Sequence, residues 1–255
     1  KSVLLLNILL HLSYKNLGGI KTMFMPYMFF DKTYILIIIG VLISAWASSY
    51  INSTYRKYEK VRNKNGYKAS DVARLILRDA DIQDVGVTQI AGDLTDNYNS
   101  HTKMLSLSER VSESHSVSAI GVAAHECGHA IQDKEGYAPL KLRAALVPAV
   151  NFGAKISIPL ILIGAIFFSG TPMLVNLGIL CFGLTFLFQV VTLPVEFNAS
   201  RRALAVLAEN QALDDEELVM ARKVLTAAAL TYVAAAVASL LQLLRLVILY
   251  GNRRD

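Results

Sequence analysis

Charge is what this sequence has little of: Asp, Glu, Lys and Arg make up 18% of its 255 residues, where an average soluble chain has about 25%. The deficit falls in long uncharged blocks on either side of a polar stretch over 51–155, which excludes an ordinary soluble globule. Cysteine is scarce as well. Cys127 falls inside a His-containing motif and Cys181 inside an apolar run, so there is no disulfide framework and no argument for an oxidising compartment. No RNA- or DNA-binding motif accompanies the net charge of +5, so nucleic acid is not an expected partner. Basic loops on one side of a membrane give the same surplus. Internal repeats and low-complexity linkers are also missing. The run Val3–Leu12 is too short to span a bilayer, is broken by Asn7 and has no A-x-A site after it. It reads as an interfacial helix or upstream extension rather than a signal peptide. Met23 and Met25 offer alternative starts, and 1–32 is taken as an N-terminal extension.

The blocks themselves are informative. Tyr34–Tyr50 is uncharged and about long enough to cross a bilayer, with Trp46 and the two tyrosines suited to the interfacial belt. Arg56, Lys57, Lys60, Arg62, Lys64 and Lys68 follow, opposed only by Glu59, which puts this side in the cytoplasm. Further spans are expected at about 150–168, 173–193 and 225–250, giving three or four in all. Ser169-Gly170-Thr171-Pro172 suits the turn of a helical hairpin, and Pro148 and Pro159 are expected to bend its first arm. Arg245 favours a bundle-facing or interfacial last helix. In the polar stretch, Ser70 is a candidate cap for a helix carrying Val72, Leu75 and Ile76. Val85–Ile90 and Met104–Leu107 read as a β-hairpin joined through the turn-rich Asp93–His101. Ser116–Gln132 reads as a helix closed by Gly136, Val195–Glu209 as an amphipathic helix, and Asp214 with Glu217 as a capping box. The fold class is therefore mainly α: a multi-pass membrane protein, with 33–255 as one membrane-embedded domain.

The chemistry concentrates in His125-Glu126-Cys127-Gly128-His129. Residues four apart share one helix face, so His125 and His129 can present both imidazoles to one metal ion. Glu126 sits beside that face, where its carboxylate can take a proton from a metal-bound water. Zinc lowers the pKa of such a water to about 7. A catalytic zinc keeps three protein ligands and one open position, so a third ligand is needed. His11 lies in the N-terminal run, His101 in a turn, and His115 too many turns before His125. Glu196, at the membrane-proximal start of a helix, is the better candidate, although the macrodipole alone also favours an acid there. Parity supports it: two apolar blocks separate His129 from Glu196, and two crossings return the chain to the side it left.

The stretches VAAHECGHAIQ, EGYAPLKLRAALVPAVNFG, LPVEFNASRRAL and LTAAALTYVAAAVASLLQLLR resemble the bacterial membrane-anchored neutral zinc metallopeptidases, the YugP-like zinc-peptidase family 2. The resemblance covers roughly Phe29 to Asp255. It implies a zinc-dependent, membrane-embedded peptidase in a bacterial cell membrane, with lipid and a protein or peptide substrate as partners and one Zn2+. The Glu196 segment also resembles the E-x-x-x-D helix of the membrane prenyl-protein endopeptidases and their HtpX-type relatives, where the Glu is the third zinc ligand. Ser200 stands where that pattern ends in Asp, so the histidines here must be oriented in another way. For substrate backbone, Lys103–Ser108 is a candidate pairing strand. For the developing oxyanion, Tyr137, Arg201, Arg202 and Tyr232 are candidates. The expected function is a zinc endopeptidase with Glu126 as general base. A non-catalytic zinc-stabilised scaffold or chaperone-like module competes with it, although a structural site has no use for Glu126. A transporter fits least, because Arg245 is nearly the only intramembrane charge.

Overall fold

The computed structural model describes residues 31–167 and 173–251, so the Val3–Leu12 run and the Ser169–Pro172 turn lie outside the described residues. In chain order it holds α1 (Tyr34–Glu59), α2 (Ala69–Asp79), β1 (Gly86–Ile90), β2 (Asn97–Asn99) and β3 (Met104–Ser108). The single turn α3 (Glu109–Ser112), α4 (Val117–Lys134), α5 (Ala138–Phe167), α6 (Met173–Glu209) and α7 (Asp215–Tyr250) complete it.

α1, α5, α6 and α7 are each long and apolar enough to cross a membrane. Of the 27 large hydrophobic residues that stand exposed among the described residues, 25 lie on these four helices. Leaving a side chain of this size in water forgoes about 1.5–3 kcal/mol, so such a surface requires lipid. α5 and α6 approach each other through glycines. A Cβ on Gly153 would stand 3.2 Å from the Cys181 carbonyl oxygen, and one on Gly178 would stand 2.8 Å from that of Ser157.

α6 departs from the sequence pattern. The expected span and the expected amphipathic helix are one 37-residue helix that continues through Pro194. The proline removes one backbone bond, and continuous packing on both flanks outweighs that loss. α7 likewise starts earlier than the apolar block 225–250, at its capping box. There Asp214 Oδ1 accepts the Glu217 N–H at 2.9 Å, and Glu217 Oε2 accepts that of Asp214 at 3.0 Å. Glu217 Oε1 also accepts the Lys64 N–H at 2.7 Å, which ties the segment after α1 to α7.

The polar stretch folds around α4. Ile120, Ala123 and Ala124 pack with Leu105 and Leu107 of β3 and with Val72, Ala73 and Ile76 of α2. Ser116 caps α4 by accepting the Ala119 N–H at 3.2 Å. Gly136 closes it with φ +66°, and the Tyr137 N–H reaches back to the Gln132 carbonyl at 2.9 Å. Ser70 does not cap α2. The helix starts two residues earlier than a Ser70 cap would set, with Lys68 in the cap position; the Ala69 N–H is taken by the Ser114 carbonyl at 2.9 Å and Ser70 is buried in the first turn.

Strand pairing also differs from expectation. The sheet has the order β1-β3-β2: β1 runs parallel to β3, with Val87 opposite Leu105, and the hairpin is formed by β2 and β3, with Tyr98 opposite Leu105. The segment read as a long turn contains a strand of its own. Asn99 Oδ1 accepts the N–H groups of His101 and Thr102 at 2.9 and 3.2 Å and thereby makes the tight turn.

Candidate metal centre

α4 and α6 meet backbone to backbone. A Cβ on Gly128 would stand 2.5 Å from the Ala199 carbonyl oxygen, so a larger residue there would have to push a helix aside. Around this crossing, α4 carries His125 and His129, one turn apart, and α6 carries Glu196 and Ser200, also one turn apart.

The crossing brings the three expected ligands together. Atoms of His125, His129 and Glu196 that can bind a metal lie within 4.8 Å of one another. Glu196 Oε2 is 3.2 Å from His125 Nε2 and 3.7 Å from His129 Nε2. Ligands about 2.0–2.2 Å from a tetrahedral zinc stand about 3.3–3.6 Å apart, so the two separations lie on either side of that range, within about 0.1 Å, and the donor types suit that ion. Glu196 is only 2% exposed, and a bare carboxylate so deeply buried is costly unless cations compensate it.

The imidazoles are oriented by neutral partners. His125 Nδ1 is 3.1 Å from Ser200 Oγ, so the serine in the place of the expected acid itself supports a histidine. His129 Nδ1 is 3.0 Å from Gln132 Oε1. The Gln132 amide nitrogen donates to the Val195 carbonyl and to Asn198 Oδ1, both at 2.9 Å. A carbonyl only accepts, so the amide oxygen must face His129, Nδ1 of His129 carries the proton, and its Nε2 lone pair is left for a metal. Sequence reading missed Gln132, although its position three residues after His129 places it on an adjoining face of the same helix.

Glu126 is buried on the same helix. Asp96, in the loop before β2, is also new. It accepts bonds from the Ser108 N–H at 2.8 Å and the Ser108 hydroxyl at 3.2 Å. Burial pushes its carboxyl above the usual range against those bonds, and the charge of nearby Glu126 pushes the same way. The third unexpected residue is Arg143 of α5, whose Nη1 donates to Glu196 Oε1 at 2.7 Å.

The remaining candidates separate. Tyr232 of α7 interacts electrostatically with Glu196, Glu126 and Arg143 and so belongs to the site. Arg202 bonds Asn198 at 2.7 Å and Glu135 at 2.6 Å, beyond Gln132, and Arg201 is exposed. Tyr137 follows α4, where its backbone serves the helix end. His101 is exposed in its turn, and His115 Nδ1 bonds the Gly66 carbonyl at 2.9 Å, away from the cluster; His11 lies outside the described residues. Cys127 points the opposite way, its Sγ 3.6 Å from the Ala73 carbonyl, and burial pushes its thiol well up. Lys103–Ser108 cannot receive a substrate strand, because β1 and β2 occupy both edges of β3.

Fold and site thus define a mainly helical membrane protein with four helices long and apolar enough to span, in which the two histidines of an HExxH motif and Glu196 form a group able to hold a metal ion. The chain belongs to the family described as "Putative neutral zinc metallopeptidase", whose sequence model matches residues 33–251. It is 42% identical over 220 residues to the "Putative membrane protease YugP" of Bacillus subtilis (strain 168), an alignment covering 86% of this chain and 97% of that protein. No solved structure matches the fold.

Proposed function

We propose that this chain is a zinc-dependent membrane endopeptidase, with His125, His129 and Glu196 as zinc ligands and Glu126 as general base. The observation that carries the reading is the convergence of those three ligands, within 4.8 Å of one another, beside the buried Glu126. Zinc bound there supplies Lewis acidity to the scissile carbonyl and to the attacking water. Glu126 accepts the proton of that water on its carboxylate and delivers it to the leaving amine nitrogen. Ser200 and Gln132 hold the two rings with Nε2 facing the ligand position. Tyr232, whose side chain interacts with Glu196, is a candidate hydroxyl for the developing oxyanion. β2, tied to α4 by the Tyr98 hydroxyl donating to Asp133 at 2.7 Å, offers an open strand edge for substrate backbone.

The basic run after α1 supports a site on the cytoplasmic side, with 33–255 working as one unit. A cysteine introduced for Lys60 would then resist an impermeant thiol reagent applied to intact cells; labelling from outside would reverse the orientation. The activity test uses an unfolded protein substrate, with and without a chelator. Glu126→Gln should retain zinc and lose about 10²–10⁴-fold in kcat, and cleavage equal to wild type would sink the assignment.

A further inference from the structure

The two oxygens of Glu196 have separate surroundings. Oε2 faces the histidines, at 3.2 and 3.7 Å from their Nε2 atoms, while Oε1 is held at 2.7 Å by Arg143 Nη1. The arginine comes from α5, outside the α4–α6 pair that supplies the ligands, and its side chain is 32% exposed while that of Glu196 is 2% exposed. A guanidinium stays charged at any working pH. Burial therefore leaves the carboxylate with one permanent cation, and a metal arriving at Oε2 would have to share its charge.

Taking the ligand assignment above as its basis, we propose that Arg143 is a positioning residue of the metal centre that sets both coordination and affinity. It holds Oε1 so that Glu196 offers one oxygen and keeps a coordination position open for substrate. It also competes with the metal for the charge of that carboxylate, which loosens the metal and leaves it more electrophilic. An arginine that merely pinned α5 to α6 would contribute to stability alone.

The two roles differ in sign. Arg143→Gln removes a like charge from beside the ion and strips the empty site of its compensating cation; both changes favour metal binding. The experiment uses the full chain in lipid nanodiscs, with zinc affinity read by competition against a chromophoric chelator. Arg143→Gln should bind zinc at least tenfold more tightly than wild type. X-ray absorption at zinc should show one more oxygen neighbour at about 2.0–2.2 Å. On an unfolded protein substrate, kcat should fall with KM little changed. Lys141→Gln, on an exposed neighbour in α5, should alter none of these. Arg143→Met takes over the test, with the same outcomes, if the glutamine variant does not fold. Zinc binding unchanged or weakened in the variant overturns the role given to Arg143 alone. A wild-type chain that binds no zinc overturns this inference and the proposed function together.

Discussion

The two helices that make the site are stabilised by different surroundings. In α4, 14 of 18 residues are buried, with α2, β3, α6 and α7 packed around it. In α6 only 8 of 37 are buried, and six of those fall between Thr192 and Leu207, where it meets α4. Elsewhere most of its side chains are half-buried along α5 or exposed, apart from buried Val175 and Gly178. The His–His–Glu group thus sits where the buried core around α4 gives way to the exposed apolar helices. One half of it is rigidly set in a protein core, and the other is the end of a membrane hairpin brought against that core. The contacts that join the halves are few: the Gly128–Ala199 approach, the Gln132 bonds to Val195 and Asn198, and the Ser200 hydroxyl.

Perturbing that junction should matter more than perturbing either half. The largest effect is expected from Gly128→Val, whose Cβ would stand 2.5 Å from a carbonyl oxygen. It should abolish zinc retention by elemental analysis and cost about 1–3 kcal/mol in thermal unfolding. Gly121→Ala is the control, since its Cβ would be 3.6 Å from that of Ala221, an ordinary contact. If both variants hold zinc like the wild type, the close approach is irrelevant to the site.

Next come the two imidazole supports. Gln132 is fully buried with every amide group engaged, whereas Ser200 is partly exposed and a water can replace its hydroxyl. Gln132→Leu should weaken zinc binding by about 10–100-fold. Ser200→Ala should weaken it less. Equal losses in chelator competition would mean that the two histidines are supported alike after all.

The smallest effect lies within the protein half. Burial raises the Asp133 carboxyl, but the bonds from Lys103 and Tyr98 outweigh it and hold the group below the usual range. A depressed acid contributes stability that is present above its unfolded pKa, about 3.9, and is lost as pH falls through the folded value. Asp133→Asn should therefore cost less than about 1 kcal/mol at pH 7. The gap to wild type should close as melting is followed down from pH 5; a gap that widens would contradict the sign.

What could be read from sequence was local or topological. The histidine pair follows from helix periodicity, the glycine that closes α4 and the capping box of α7 from short local patterns, and the return of Glu196 from the parity of two apolar blocks. The misses depended on partners far along the chain. Alternation reveals that β1 and β3 are strands but not that they run parallel, because the pairing is set by contacts between residues distant in sequence. Pro194 looked like a boundary because local preference cannot register the packing on both sides of it. Ser200 was noticed as a departure, yet its contact with His125 spans 75 positions. Arg143 was not singled out from sequence at all; only the packing of α5 on α6 sets it against Glu196.

That hairpin also imposes an order on biosynthesis. The ribosome completes His125 and His129 long before Glu196, and the stretch between them must enter the bilayer and return before the third ligand can arrive. Until then the nascent chain has two imidazoles and a base but no complete metal cage. If the chain is the zinc peptidase proposed above, hydrolytic capacity is withheld until insertion has brought Glu196 to the two histidines. On that reading, membrane integration is itself the step that completes the site.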